Sequence, residues 1–310
     1  MNSLSYKVNT SIQNIMSDII RFGEVRMKYT SCDILLIQKK VKQAKMMVPT
    51  AQSRSIENIR LMIHKTINTD GGNYGCCMPP DGRLVFTSYL ARTVKVFNNE
   101  GVKDFEVKML CRPFDIVYNS EDNTLAVSSG DSEKRCITII DPKRKQIQKT
   151  ISLDSKNYGI ALKDNQLMYS GYDKGIRMIN LHDESISDEV RDQMPNDCYI
   201  ATFRDNIYHT NPSSHTVTCY NLQGGIQWTF HNKSVLMSPH GIDVDNDGNV
   251  YVVGYISNNL VVISPDGQRH REILTEGDGL QHPTSLQYSG QKNQLLVANY
   301  NNKACLFNLN

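Results

Sequence analysis

A six-bladed β-propeller, an all-β ring, is the fold this sequence predicts, and three observations predict it. Cut at Gly75, Asp115, Gly159, Tyr199, Gly241 and Ser285, the chain falls into pieces that align on one another at intervals of 40, 44, 40, 42 and 44 residues. A period of roughly 40–45 residues with several short strands per unit marks a propeller blade and not a helical array. Inside each piece an apolar run, a polar turn, a second apolar run, a variable loop and a third run follow in one phase. Five pieces share their first-turn chemistry: Asp81-Gly82, Asp122-Asn123, Asp164-Asn165, Asp205-Asn206 and Asp247-Gly248. Such pairs supply the positive φ that a tight hairpin demands. A blade buries its faces only against neighbouring blades, so six copies imply one closed ring.

In chain order, residues 1–23 precede the repeats. Val8, Ile12, Ile15, Ile19 and Phe22 are spaced 4, 3, 4 and 3 apart, a heptad seam that predicts a short coiled-coil-like helix. Two heptads are too short to hold a coiled coil alone. The segment therefore reads as the stump of something longer, with self-association its expected use. Residues 24–54 read as a linker, with short strands around Val25–Met27 and Ile34–Ile37, a basic stretch Lys39–Lys45 and a stop at Pro49. The propeller is expected over 55–310. Blade five shows its logic: Ile242 and Val244 alternate with polar residues, Asp247-Gly248 turns, and Val250–Val253 follows. Asn259–Ile263 is the third strand, Pro265-Asp266-Gly267 turns again, and Arg269–Leu274 is the fourth. The last copy holds only three runs, Leu286–Tyr288, Gln294–Ala298 and Lys303–Leu309, which leaves an open edge. Asn58–Ile67 resembles the fourth runs Gln146–Leu153 and Gln268–Leu274, so residues 55–67 are expected to close the last blade by joining the two ends of the chain.

Composition excludes several classes. No run approaches the roughly 20 apolar residues of a membrane span, and Met1–Lys7 lacks the apolar core of a signal peptide. Eight cysteines, at 32, 76, 77, 111, 136, 198, 219 and 305, form no CxxC pair. Reduced core cysteines and a cytoplasmic location are expected. The net charge of +2 hides a split: residues 1–57 carry nine Lys and Arg against four Asp and Glu, and the remainder 25 against 28. The ring is therefore no basic body built for phosphate backbones.

The copy Pro239-His-Gly-Ile-Asp-Val-Asp-Asn-Asp-Gly-Asn-Val-Tyr-Val-Val253, with the heptad stump before it, resembles the C-terminal part of tripartite-motif proteins with NHL repeats. The resemblance covers about residues 58–310. It implies a ring that selects a partner or substrate for ubiquitin or immune-signalling machinery. In that family ubiquitin-ligase activity resides in a RING. This chain has no Cys/His array ahead of the helix, so it looks like a RING-less relative and is expected not to be an enzyme.

Chemistry-bearing motifs are few. Asp243-x-Asp245-x-Asp247-Gly248 matches the first half of an EF-hand loop, but Gly254 stands where the bidentate Glu belongs, and the flanks read as strands. It is read as a hairpin turn. His240 and His282 stand at strand entrances, two where a catalytic zinc takes three protein ligands. No GxSxG elbow is present. No cofactor and no metal are expected, and a hydrolase or lyase with a channel metal is the third-ranked reading.

The loops after the second strands and those entering each blade share one face. There the sequence offers Tyr89, Arg92, Lys134, Arg135, Tyr172, Lys174, His215, Tyr255, Tyr300 and Lys303, and the entrances add Tyr74, Phe114, Tyr158 and His240. The opposite face collects Asp81, Asp122, Asp164, Asp205 and Asp247. An aromatic and cationic face opposite an acidic one is the expectation. Tyr and Arg are common interface anchors, so docking of a protein partner or ubiquitination substrate is the first reading. Single-stranded RNA, stacked on the same rings, is the second.

Overall fold

A computed structural model describes residues 54–310. The expected helix over 1–23 with its self-association, nearly all of the 24–54 linker, and Cys32 lie outside the described residues. Twenty-four strands form six four-stranded antiparallel sheets, one per blade. Among the described residues no helix is long and apolar enough to cross a membrane.

Each blade starts at the axis and steps outward. The innermost strands are Asn73–Cys77, Ile116–Asn119, Asn157–Lys163, Ile200–Phe203, Pro239–Val244 and Pro283–Ser289. Most second and third strands are buried on both faces, as in Leu84–Ser88, Thr93–Phe97, Val250–Gly254 and Asn259–Ile263. That explains why these segments read as continuous apolar runs without alternation. Fourth strands such as Lys103–Lys108 and Gln146–Ser152 are half solvated. In every blade the third and fourth strands slip register once, between Val96 and Phe97 in blade one and between Leu260 and Val261 in blade five. Such bulges add twist, which an edge strand of a splayed blade needs.

The ring closes through Leu61–Asn68, which pairs antiparallel with Lys303–Leu309 and supplies the fourth strand of blade six. Ile56, Ile59 and Ile67 beside it are at most 1% exposed, so the segment also fills the core. The tight turns between first and second strands use the predicted residues with one shift. Gly82, Asn123, Asp164, Asn165 and Gly248 have positive φ, but in blade four the left-handed residue is Arg204 instead of the Asp205-Asn206 pair.

At the axis the six repeat anchors alternate glycine with a larger residue. A Cβ on Gly75 would lie 2.8 Å from Asp115 Cα, one on Gly159 2.6 Å from Tyr199 Cα, and one on Gly241 2.5 Å from Ser285 Cα. Three glycines thus let neighbouring innermost strands touch backbone to backbone. Hydroxyls repair the backbone bonds that this bending leaves open. Thr87 Oγ1 accepts from Gly75 N, Ser128 Oγ from Asp115 N and Thr210 Oγ1 from Tyr199 N.

Candidate functional site

The central channel is plugged. Tyr199, on the entrance to blade four, crosses the axis, and its hydroxyl donates to the Tyr74 carbonyl of blade one at 2.6 Å. The ring is 2% exposed and packs on Phe114 at 5.0 Å and His240 at 6.0 Å. Burial holds its phenol well above the ordinary value, so it stays a neutral donor.

Below the plug lies a cavity of about 240 Å³ lined by the innermost strands. Two carboxyls there tie blades together. Asp115 accepts from Ile116 N and, across the blade boundary, from Ile160 N at 3.1 Å. Asp243 accepts from Val244 N and from Tyr288 N of blade six at 2.8 Å. Burial pushes Asp115 up to about 7 and Asp243 up to about 6. Asp245 is engaged separately, accepting from Asp247 N, Asn249 and the Tyr251 hydroxyl. The EF-like triad is therefore split between a blade clasp and a hairpin turn.

Above the plug the rings form one contiguous layer. Tyr74 meets Tyr89 at 4.7 Å, Phe114 at 5.5 Å and Tyr300 at 5.8 Å. Phe114 meets Tyr158 at 5.3 Å, and Tyr255 stacks on His240 at 4.8 Å and meets His282 at 4.9 Å. Phe114, Tyr158 and His240 are buried and form the floor, while Tyr74, Tyr255 and Tyr300 are half-exposed. Tyr300 stands nearly perpendicular to both others, at 83° to Tyr74 and 79° to Tyr255. Three half-exposed rings thus form walls around an open mouth.

Carboxylates accompany the rings. Asp131, after the second strand of blade two, accepts from the Tyr89 hydroxyl, and Arg112 lies 5.2 Å over the Tyr89 ring. Asp197 sits at the blade-four entrance in a left-handed conformation, φ 56°. Desolvation and the neighbouring charge of Asp131 raise its pKa, and its own charge contributes to raising the phenols of Tyr74, Tyr158 and Tyr255. Burial lowers His240 to about 4, so the imidazole is neutral, and its Nδ1 donates to the Ser238 carbonyl at 2.9 Å. His282 Nδ1 likewise bonds the Tyr255 carbonyl.

Of the sequence-predicted residues, Tyr74, Tyr89, Phe114, Tyr158, His240, Tyr255 and Tyr300 come together in this layer. The others do not. Arg92, Lys134, Arg135, Lys174 and Lys303 are exposed at the periphery. Tyr172 lies under Lys156 at 5.9 Å, and His215 accepts from Ser238 N. The mouth is aromatic with carboxylates; Arg112 lies over Tyr89, and the predicted cations stand outside the layer. Sequence reasoning missed Tyr199, Asp131 and Asp197 as members of the mouth. Tyr199 left a signal: a bulky ring at an anchor where the other copies hold Gly, Asp or Ser.

Comparison with known proteins bears on the fold. A family model described as a beta-propeller repeat matches residues 230–260, which include the Pro239–Val253 copy. No curated protein matches the chain in sequence. Among solved structures the chain is similar to virginiamycin B lyase from Staphylococcus aureus, at 18% identity over 81% of this chain and 100% of that one, TM-score 0.59. It is also similar to a streptogramin B lyase, at 17% identity over 83% and 100%, TM-score 0.61. A protein of unknown function from Bacteroides thetaiotaomicron shares 12% identity over 81% and 76%, TM-score 0.65. The chain is a six-bladed propeller. Neither of the two named propellers is a tripartite-motif protein. One expectation is corrected outright: solved propellers similar to this one include lyases, so the exclusion of enzyme activity drawn from the missing RING does not stand.

Proposed function

We propose that the chain is a recognition module that docks a protein partner at the channel mouth, seating a cationic side chain of that partner among Tyr74, Tyr255 and Tyr300. The observation that carries this reading is the mouth itself: three half-exposed tyrosines, one standing edge-on to the other two, beside Asp131 and beside Asp197, whose ionisation desolvation and the Asp131 charge make costlier. The faces of electron-rich rings attract Lys or Arg, by about 0.5–2 kcal/mol depending on desolvation, and a cation also relieves the Asp131–Asp197 repulsion. Tyr89 is already covered by Arg112, which leaves the other three rings for a ligand. The tripartite-motif resemblance fits a partner that is a ubiquitination substrate. A phosphate backbone, in contrast, would meet Asp131 and Asp197 first, which ranks single-stranded RNA below a protein.

The test is selection of randomised displayed peptides on residues 54–310, repeated on Tyr300→Ala. Enriched sequences should hold Arg or Lys at one fixed position, and enrichment should vanish on the variant. Enrichment without a fixed cation, or unchanged on the variant, would sink the reading.

A second reading rests on His240. With Nδ1 donating to Ser238, the neutral imidazole in the floor of the mouth keeps Nε2 as its acceptor nitrogen. That nitrogen can accept a hydrogen bond or a proton from a small molecule bound above it, as a weak base. A turnover that His240→Asn abolishes while leaving peptide selection intact would establish it.

A further inference from the structure

At the rim of the same face, between blades one and two, two thiols meet. Cys111 lies in the loop joining these blades, and Cys136 begins the third strand of blade two, Cys136–Asp141. Their sulfurs are 3.6 Å apart and both residues are 4% exposed. Among the described cysteines no other two sulfurs are in contact. Cys76 contacts Ser285, Cys198 contacts Ser170, and Cys219 contacts the Tyr220 carbonyl. Above the pair lies a cleft of about 390 Å³, whose wall includes Cys111 and which is lined by Arg92, Arg112 and Lys134 together with Asp131 and Glu133. A small reagent therefore reaches the pair from the Cys111 side.

We infer that Cys111 and Cys136 are a reversible dithiol that a small disulfide of the glutathione class oxidises through the cleft to an intrachain disulfide. The geometry needs only a small approach, since a disulfide sets its sulfurs about 2.05 Å apart. The sharing of one proton supports it: the Cys111 S–H donates to Cys136 and lowers that thiol to about 7, so one thiolate is available near neutrality. In the exchange the thiolate attacks one sulfur of the small disulfide, forms a mixed disulfide and expels one small thiolate. The second cysteine then gives up its proton, attacks the protein sulfur of that mixed disulfide and expels the other small thiolate. Two protein thiols and one small disulfide become one protein disulfide and two small thiols. This rests on no assumption about what the aromatic mouth binds.

The experiment treats the full chain with oxidised glutathione, quenches with acid and alkylator, and maps tryptic peptides. Cys111 falls in the peptide 109–134 and Cys136 in 136–143, so a bond between them joins two separate peptides. The expected result is a loss of two alkylatable thiols, the joined pair as the main product, and recovery of both thiols on reduction. Cys111→Ser and Cys136→Ser should each abolish the joined pair. Should a variant fail to fold, the same oxidation of the wild type in urea serves instead, where the pairing loses its selectivity. An unjoined pair in the folded wild type, a stable glutathione adduct on one cysteine, or equal amounts of other pairings would overturn the inference.

Discussion

The two ends of the central channel are built from adjacent residues of the same strands, yet they do opposite work. Below the Tyr199 plug, polar side chains are spent on the protein's own backbone: Asp115 and Asp243 each accept from the next blade, and Ser285 accepts from Cys76 N. Above it, rings stack on rings and leave three tyrosines half open. Phe114 and Asp115 are neighbours in sequence, one on the dish floor and one clasping blade three. The difference teaches that conserving a ring and offering a surface are separable. The lower end ties the blades together, and the upper end leaves rings open to solvent.

The largest break in this comparison should come from the strand contacts at the axis. Gly241→Val would drive a side chain into Ser285 backbone and should cost about 3 kcal/mol or more, read as a lowered urea midpoint. Next comes the plug. Tyr199→Ala should cost about 3–5 kcal/mol and join the two ends into one passage. Tyr199→Phe removes only the bond to Tyr74 and should cost about 1 kcal/mol. Equal costs for the two would show that the ring does not fill the axis.

Asp115 gives a pH test of the lower end. Its carboxyl is raised from its ordinary value to about 7 by burial, so the folded chain holds a proton that the unfolded chain releases. The stability this provides is full below about pH 4 and lost as pH rises to about 7, up to about 4 kcal/mol. Asp115→Asn should therefore flatten that part of the profile. His209 and His240 act with the opposite sign, both lowered to about 4 by burial, so wild type and variant must be compared at each pH. Parallel profiles would contradict the assignment. The smallest stability effect belongs to the upper end: Tyr300→Ala should lower the stability read from urea unfolding by less than about 1 kcal/mol, and a larger loss would make the open rings structural.

Much of the ring was legible because its physics repeats. The 40–44-residue spacing, the Asp-Gly turns and the orphaned edge of the last copy each follow from how a blade must be built. The blade-four turn slipped by one residue, since Arg204 accepted the left-handed conformation that the Asp205-Asn206 pair was expected to hold. The mouth was less legible. Repeat phase places Tyr199 on an innermost strand but does not say that its ring crosses the axis to Tyr74. Asp131 and Asp197 lie in loops whose lengths vary between copies, where alignment says nothing of direction. Counting cations on loops also overstated the charge of the face, because Lys134, Lys174 and Lys303 stand outside the mouth.

The most direct test of the account is the affinity of the chain for one selected arginine peptide and for its citrulline counterpart, which keeps shape and loses charge. The account predicts that citrulline weakens binding by about 3- to 30-fold, the span of a cation over aromatic faces, and that Tyr300→Ala erases the difference. Equal affinity for the two peptides, or a preference that survives Tyr300→Ala, would contradict it.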